Sequence, residues 1–389
     1  MDMKVIEVNN HDLAKSFIDV ALQFYKDDAN YIRPLDADID EVFDPKKNIS
    51  FKQGECIRWL LQDSSGKYIG RIAAFYKQET VDNYELPTGG CGFFECIDDQ
   101  KAAFLLFDTA KAWLSSKGLE AMDGPINFGE RHKWWGLLID GFYEPCYTCN
   151  YNPAYYQALF EAYGFQLYYK QYTYWRDVRM KLDTRYADRA TNILSNRGYT
   201  FEHVDKSDLE AAARNFRSVY NKAWARHAGI GEMSEIQAQE LLRNMRPIID
   251  PKLIWFAFYN NEPVGFWISI PDLNQLIVKY LPGKLTWWGK LLFVWRKVTK
   301  QSKTMFGVIF GVIPDHQKRG LEIALIVESA KLVQDKNMPY EELQMNWIGD
   351  FNPKMMRVAE QIGAKIYKTH YTYRYLFDRS KEFERYPIL

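Results

Sequence analysis

The sequence NYNPAYYQALFEAYGFQLYYKQYTYWRDV, residues 150–178, decides the fold because it recurs as DFNPKMMRVAEQIGAKIYKTHYTYRYLF at residues 350–377. In both copies Asn-Pro precedes an apolar-periodic segment that ends at Gly164 or Gly363 and leads into Tyr-Thr-Tyr. Asparagine caps the free amides of a helix start, and proline is tolerated in the first turn. Glycine suits the left-handed exit from a helix. Each copy therefore predicts a helix followed by a strand.

Two further pairs of segments recur in the same order. Residues 59–76 and 255–270 each predict a hairpin, and residues 97–118 and 313–337 each predict an amphipathic helix after a short turn. Three ordered matches indicate an internal duplication. The 389 residues are also about twice the length of a common domain. We expect two α/β domains, residues 1–185 and 198–389, joined by a linker at about 186–197.

Hairpins combined with crossover helices predict, in each copy, a mixed and mostly antiparallel sheet with flanking helices. A hydrophobic fraction of 47% is typical of a packed globular protein. Fifty basic residues balance fifty acidic ones, which argues against nucleic acid as a partner. No segment approaches the roughly 20 apolar residues of a membrane span, and the N-terminus lacks a secretory pattern. The expected location is the cytoplasm.

The five cysteines all lie in the first copy. A zinc site is conceivable from Cys146-x-x-Cys149, but Cys91 and Cys96 lack the spacing of a second ligand pair and no histidine cluster accompanies them. We expect reduced thiols, these four and Cys56, and no metal.

The order of these elements, with their motifs, resembles the GNAT superfamily of acyl-CoA N-acyltransferases over nearly the whole chain. In that family a strand leads into a loop of pattern Gln/Arg-x-x-Gly-x-Gly/Ala and then a helix, and main-chain amides there hold the pyrophosphate of acyl-CoA. The second copy carries most of this pattern. The resemblance implies acyl-CoA, expected to be acetyl-CoA, as co-substrate, bound by Val312, Ile313, Gln317, Lys318, Arg319, Gly320, Leu321 and Asn352.

The sequence also departs from the family. Glu322 stands where the family has a small residue, and the first copy has lost the glycine and gained Asp98 and Asp99. We therefore expect the first copy to be degenerate and not to bind CoA. The tyrosine that in the family protonates the leaving thiolate is replaced by Phe160 in one copy and Ala359 in the other.

Several side chains remain as candidates for proton transfer. Tyr371 and Tyr373 share a strand face and His316 lies in the loop, although each has an ordinary structural interpretation as well. His370 and Asp350 are weaker candidates. The resemblance also implies that main-chain amides at 310–313 polarise the thioester carbonyl.

Residues 122–153 form a long segment rich in Gly, Pro and aromatic residues, a composition found in binding loops and equally in packed interdomain contacts. Its GPINFG sequence resembles a bacterial subgroup of tandem GNAT-like proteins. The candidate substrate-binding residues are Asn127, Glu130, His132, Trp135, Tyr147 and Asn150.

Residues 276–305 alternate apolar and basic residues and contain no acidic one. Trp287, Trp288, Leu291, Leu292 and Trp295 fall at helical spacing. A basic amphipathic helix of this kind either packs its apolar side on the other copy or makes a peripheral membrane contact.

Together these features predict an N-acyltransferase that moves an acyl group, expected to be acetyl, from acyl-CoA to an unidentified amine. The alternative is a GNAT-fold protein without catalysis that binds a lipid-like ligand or a protein partner.

Overall fold

The computed structural model describes residues 2–78, 86–181, 183–224 and 232–388. Thirteen strands of the described chain form one continuous sheet. They are β1 (Lys4–Glu7), β2 (Gly54–Gln62), β3 (Tyr68–Lys77), β4 (Thr88–Cys96), β5 (Ala121–Gly124), β6 (Leu137–Asp140), β7 (Gln166–Asp177), β8 (Tyr199–His203), β9 (Ile254–Tyr259), β10 (Glu262–Pro271), β11 (Thr304–Val312), β12 (Glu342–Gly349) and β13 (Lys365–Leu376).

Helices cover the faces of this sheet. They are α1 (His11–Asp19), α2 (Asp36–Val42), α3 (Gln100–Ser116), α4 (Tyr156–Tyr163), α5 (Thr184–Leu194), α6 (Leu209–Trp224), α7 (Glu235–Met245), α8 (Leu273–Leu276), α9 (Trp287–Val298), α10 (Leu321–Val333) and α11 (Pro353–Gln361). The predicted mixed α/β architecture is confirmed. Residues 186–197, where the sequence places the boundary, include most of α5, which packs in the core of the second half through Ala190 and Ile193.

The two halves exchange their last strands. The sheet order is β1-β2-β3-β4-β5-β13-β7-β12-β11-β10-β9-β8, with β6 paired to β13 off this path. The last strand of the second half, β13, therefore lies against β5 of the first, and β7 of the first half lies against β12 of the second. Each Tyr-Thr-Tyr strand completes the sheet of the other copy.

The local predictions around the repeated helices hold with one exception. Gly164 and Gly363 have φ values of 105° and 79°, the left-handed conformation expected at a helix exit. The Asn352 side chain caps α11 by accepting a hydrogen bond from the Met355 amide at 3.1 Å. The prediction for Asn152 is wrong: α4 begins only at Tyr156, and Asn152 bonds the main chain of Leu138 in β6 instead.

Both halves contain a short parallel strand pair that opens towards one end. In the first half β4 pairs with β5 only over Thr88–Gly90, and in the second β11 pairs with β12 only over Thr304–Gly307. Beyond these residues the strands diverge while β4 and β11 stay paired to their antiparallel neighbours. Each half thus presents a wedge next to the turn that starts a crossover helix, α3 or α10.

Candidate active site

The turn between β11 and α10 is exposed and lacks a side-chain cap. Eight residues, 313–320, connect the strand to the helix. Gln317, Lys318 and Arg319 are exposed, and Lys318 and Gly320 have φ values of 63° and 92°. The Gln317 side chain donates to the Val312 carbonyl at 2.8 Å, which ties the turn to the end of β11. The turn therefore has a defined shape and an open outer surface.

The main-chain amides of this turn are available for a ligand. Within the described chain, the N–H groups of residues 318–323 have no hydrogen-bond acceptor, and the first amide bonded along α10 is that of Ala324. A helix start with free amides carries about half a positive charge and suits phosphate. Glu322 is half-exposed, and its carboxylate accepts no hydrogen bond from these amides in the same part of the structure. The anion position is open.

The equivalent turn of the first half is closed by its own carboxylate. Only three residues, 97–99, separate β4 from α3. The Asp99 side chain accepts the Ala102 amide at 2.8 Å and so caps the helix. A negative charge thus occupies the place where an anion would bind.

The end of β4 is closed as well. The hydroxyl of Tyr155 donates to the Cys96 carbonyl at 2.6 Å, and the Cys96 amide donates to the Tyr156 hydroxyl oxygen at 2.9 Å. The repeat places Met355 and Met356 at these two positions in the second half. A thioether cannot replace these bonds, because it has no donor and its sulfur is a weak acceptor. Met355, Met356 and the apolar residues 308–310 of β11 are half-buried and pack against the same core of the second half.

A cavity of about 70 Å³ lies between the end of β4, the segment 18–39 and the long loop 125–152. At its polar end, Glu95 of β4 is 7% exposed and faces Arg71 at 3.2 Å. The hydroxyls of Tyr25 and Tyr156 donate to the same carboxylate at 3.0 and 2.8 Å. Burial raises the pKa of Glu95, and Arg71 and the two hydroxyls only partly oppose that shift. A buried carboxyl with a raised pKa in a cavity is typical of a proton acceptor.

A second carboxylate faces the same cavity. Asp38 accepts the Tyr147 hydroxyl at 2.6 Å, and burial raises its pKa too. The wall opposite is apolar and comes from the first 39 residues; its members are Ile18, Ala21, Leu22, Ile32 and Ile39. The cavity therefore combines two acidic groups, which suit an amine, with an apolar side, which suits a hydrocarbon chain.

This cavity adjoins the second half through a shared wall. Residues Trp134, Thr148, Cys149 and Asn150 line both it and a smaller pocket that reaches Asn346 and Trp347 of β12. The Asn346 amide nitrogen lies 3.0 Å from the Cys149 sulfur. Residues 148–150 therefore connect the lining of the cavity to β12, one of the two strands that border the wedge.

The strand exchange determines where the predicted catalytic residues lie. Tyr371 and Tyr373 do share a face, with ring centroids 5.8 Å apart, but β13 lies three strands from β11, about 14 Å. Tyr373 is buried and donates to Glu161 at 2.9 Å. His316 packs on Tyr199, whose hydroxyl is 2.6 Å from its Nδ1, and burial lowers its pKa. The structure does not bring these three side chains together.

The two weaker candidates are also held in place. His370 is buried, its Nε2 lies 3.0 Å from the Asn150 carbonyl, and burial lowers its pKa to about 4, so the ring is neutral near pH 7. Asp350 accepts the Lys170 amide at 3.1 Å and pairs with Arg385 at 2.5 Å. Only His370 lines a pocket, the smaller of the two.

Most of the predicted substrate-binding residues border the two pockets. Tyr147 and Asn150 line the cavity, and His132, Trp135 and Asn150 line the smaller pocket. Asn127 is buried, and its side-chain oxygen has no partner within the described chain. Glu130 is exposed and pairs with Lys133 at 3.2 Å.

Sequence reasoning missed Glu95, Asp38 and the Tyr155–Tyr156 pair. The repeat carried a signal for the tyrosines, since aligning NPAYY with NPKMM shows that the two copies differ there. No sequence signal pointed to Glu95 or Asp38, because the sequence around an isolated acidic residue does not reveal whether its side chain faces a cavity.

The described residues contain no group of three His, Cys, Asp or Glu placed to hold a metal ion. Among the described helices, none has both the length and the apolar character needed to cross a bilayer. All five cysteines are free thiols.

Solved structures with similar folds are N-acetyltransferases. A tandem GNAT protein from the clavulanic acid biosynthesis pathway superimposes with a TM-score of 0.56 at 9% identity, covering 98% of this chain and 100% of that one. A GCN5-related glucosamine N-acetyltransferase region of a fungal β-N-acetylglucosaminidase gives 0.57 at 13% identity, covering 96% of this chain and 38% of that chain. The fold is GNAT-like. At these identities the comparison establishes the architecture of the two GNAT-like halves.

Two sequence relatives match almost end to end. The bacterial ceramide synthase of Caulobacter vibrioides is 26% identical over 376 residues, which cover 96% of this chain and 97% of the relative. Protein YghO of Escherichia coli is 25% identical over 371 residues, covering 94% and 93%. No family profile matches the chain.

Proposed function

We propose that this protein is an N-acyltransferase that moves an acyl group from acyl-CoA to the amine of a long-chain amino alcohol. The observation that carries the proposal is the open junction between β11 and α10, where free amides at residues 318–323 border a wedge in the sheet. A diphosphate would bind these amides, and the pantetheine arm would run along the unpaired edge of β11. Asn352, which caps α11 beside this wedge, completes the proposed cofactor site.

The proposed acceptor follows from the cavity of the first half. Asp38 and Glu95 would bind the protonated amine, and the apolar wall of segment 18–39 would hold the first part of a hydrocarbon chain. A volume of about 70 Å³ admits a head group and not a whole lipid. The similarity to a ceramide synthase supports this choice, since a ceramide is a long-chain amino alcohol acylated on nitrogen.

In the proposed reaction the amine attacks the thioester carbonyl, a nitrogen–carbon bond forms and the carbon–sulfur bond breaks. The departing thiolate takes up the proton lost by the amine, and main-chain amides at 310–313 stabilise the oxyanion. Because β4 lies five strands from β11, about 24 Å across the sheet, Glu95 binds the acceptor in the cavity and does not act as the base. Loop 148–150, which lines the cavity and contacts β12, lies on the path of the acceptor to the thioester.

The test is direct. The protein is incubated with acyl-CoAs from acetyl to palmitoyl, each with sphinganine and with a short amino alcohol of the same head group, and amides are measured by mass spectrometry. We expect the amide of sphinganine and not that of the short analogue. Acyl-CoA binding by calorimetry without any amide would favour the alternative of a non-catalytic binding protein. A flat titration with every acyl-CoA would refute the cofactor site.

A further inference from the structure

Helix α9 and the residues before it carry a concentrated apolar surface. Eight of the fifteen exposed large apolar side chains of the described chain lie between residues 280 and 298. Trp287, Trp288 and Val298 are 65%, 73% and 75% exposed. Isolated exposed apolar residues are ordinary, but a contiguous group marks a binding surface.

The exposed residues form one face of a well-anchored helix. Residues 287, 288, 291, 294, 295 and 298 follow helical spacing and all are exposed. The opposite face, with Leu292 and Phe293, packs on the cluster of Ile32, Ile277, Val278 and Leu281. Thr286 caps the helix by accepting the Gly289 amide at 3.2 Å. The expected packing of the apolar side on the other copy is thus present at Leu292 and Phe293, which contact a cluster that includes Ile32 of the first half. The tryptophans do not take part in it and point outward.

The charge around this face is positive. Residues 276–305 contain seven basic residues and no acidic one. Lys279 and Lys303 pair with Glu144 and Glu341. The other five basic residues have no acidic partner within the described chain; they are Lys284, Lys290, Arg296, Lys297 and Lys300. An apolar face with interfacial tryptophans and surrounding lysines matches the surface of an anionic bilayer.

We propose that α9 docks the protein on the surface of an anionic membrane, with the helix lying in the plane of the head groups. Its tryptophans enter the boundary between head groups and acyl chains, and Lys284 and Lys290 contact lipid phosphates. The helix is shorter than a membrane span, so the contact is peripheral and reversible.

The position of α9 connects this surface to the cavity. Ile32 belongs both to the cluster under α9 and to the cavity wall, and Tyr147, which lines the cavity, packs against the same cluster. A membrane held at α9 would lie one layer of side chains from the cavity. A lipid acceptor would then reach Asp38 with little exposure of its chain to water.

Vesicle co-sedimentation tests the docking and needs no acyl transfer. The full chain is mixed with phosphatidylcholine vesicles containing roughly one-third phosphatidylglycerol, and with pure phosphatidylcholine. We expect binding to the anionic vesicles that weakens as salt is raised. Lys284→Gln with Lys290→Gln should lower the partition coefficient roughly 30-fold at low salt, about fivefold per charge.

A second pair of variants tests the apolar face. Trp288→Ser with Trp295→Ser should lower binding by about 10-fold or more, since both side chains are already exposed and their loss leaves the fold intact. The matched control is Ile49→Ser with Ile236→Ser, two exposed apolar residues away from α9, which should bind as the wild type does.

Three results would overturn the proposal. One is a wild-type protein that stays in the supernatant with anionic vesicles. Another is equal, salt-independent binding to both kinds of vesicle. The third is a dimer in sedimentation velocity without lipid that dissociates in the tryptophan variant, because it would assign the face to a second copy. If docking holds while no amide forms in the assay, the function proposed above fails and this inference stands.

Discussion

The two strand-to-helix junctions of this molecule occupy corresponding places in the sequence repeat and differ in what their main chain is left to bind. At the first junction Asp99 caps α3, and Tyr155 and Tyr156 bond both polar groups of Cys96. At the second, Gly320 offers α10 no side chain, and Met355 and Met356 take the place of the tyrosines. A few side chains thus determine whether the main-chain polar groups of the junction are hydrogen-bonded within the protein or are free to bind a ligand.

The two junctions also differ in which charged groups surround them. The closed junction holds Glu95 in a fixed network at the end of β4, where it faces a cavity. At the open junction no carboxylate of the described residues accepts a hydrogen bond from the amides. This difference supports the proposal that the first half binds the acceptor and the second the cofactor.

The largest expected effect comes from Glu95→Gln. The amide keeps the shape of the side chain and has no charge with which to bind the protonated amine, so kcat/KM for the amine should fall about 10²- to 10³-fold while the acyl-CoA Kd stays unchanged. The measurement is steady-state kinetics beside calorimetry, with thermal unfolding to confirm the fold. Glu55→Gln, at an exposed strand glutamate, is the control and should act as wild type. A parallel loss in both variants would contradict a role for Glu95.

Glu95 also predicts a pH dependence. Burial raises its pKa, and only the ionised form binds the protonated amine, so kcat/KM should rise as pH passes through a value above the usual glutamate pKa of about 4.3. This acid limb should be absent from the residual activity of Glu95→Gln. An unchanged limb in the variant would assign it to another group.

Gly320→Asp converts the open junction towards the closed one. A carboxylate beside the free amides would repel a diphosphate, and aspartate is one of the residues that tolerate a φ of 92°. Acyl-CoA should bind about 100-fold more weakly in calorimetry, with the free energy of unfolding little changed. Gly320→Asn is the uncharged control and should lose much less. Equal loss in both would point to shape and not charge.

Met356→Tyr tests the wedge itself. A tyrosine at this position should reach the end of β11, as Tyr156 reaches β4, and so narrow the space for the pantetheine arm. We expect roughly 10-fold weaker binding of acyl-CoA. Met356→Leu, which nearly conserves volume, should change affinity less than about twofold. Full affinity in the tyrosine variant would exclude this wedge as the cofactor route.

The smallest effect is on stability. Asp99→Ala removes the cap of α3 and should lower the free energy of unfolding by about 1 kcal/mol in chemical denaturation. It should not create an acyl-CoA site in the first half, because Tyr155 and Tyr156 still close β4. Asp98→Ala, at an exposed neighbour, is the control. Acyl-CoA binding gained at the first junction would show that the cap alone separates the two copies.

The sequence predicted the mixed sheet, which the structure confirms, and a turn at 317–320 between a strand and a helix, since both depend on local spacing that the repeat makes visible. It did not predict the strand exchange, because nothing in a strand's own residues tells which of two similar neighbours it will join. The exchange places Tyr371 and Tyr373 on β13, three strands from β11. The sequence did not predict Glu95 as a site residue, because its contacts are with Tyr25, Arg71 and Tyr156, which are distant in sequence.

The exchanged strands make the order of synthesis matter. Arg374 of β13 forms a two-pronged ion pair with Asp123 of β5, 251 positions earlier in the chain. The gap in the sheet beside β5 is filled by residues 365–376, which are translated after the whole first half. During synthesis the first half therefore exposes an unpaired strand edge until β13 is made, and a chain cut anywhere in between would leave that edge free to aggregate.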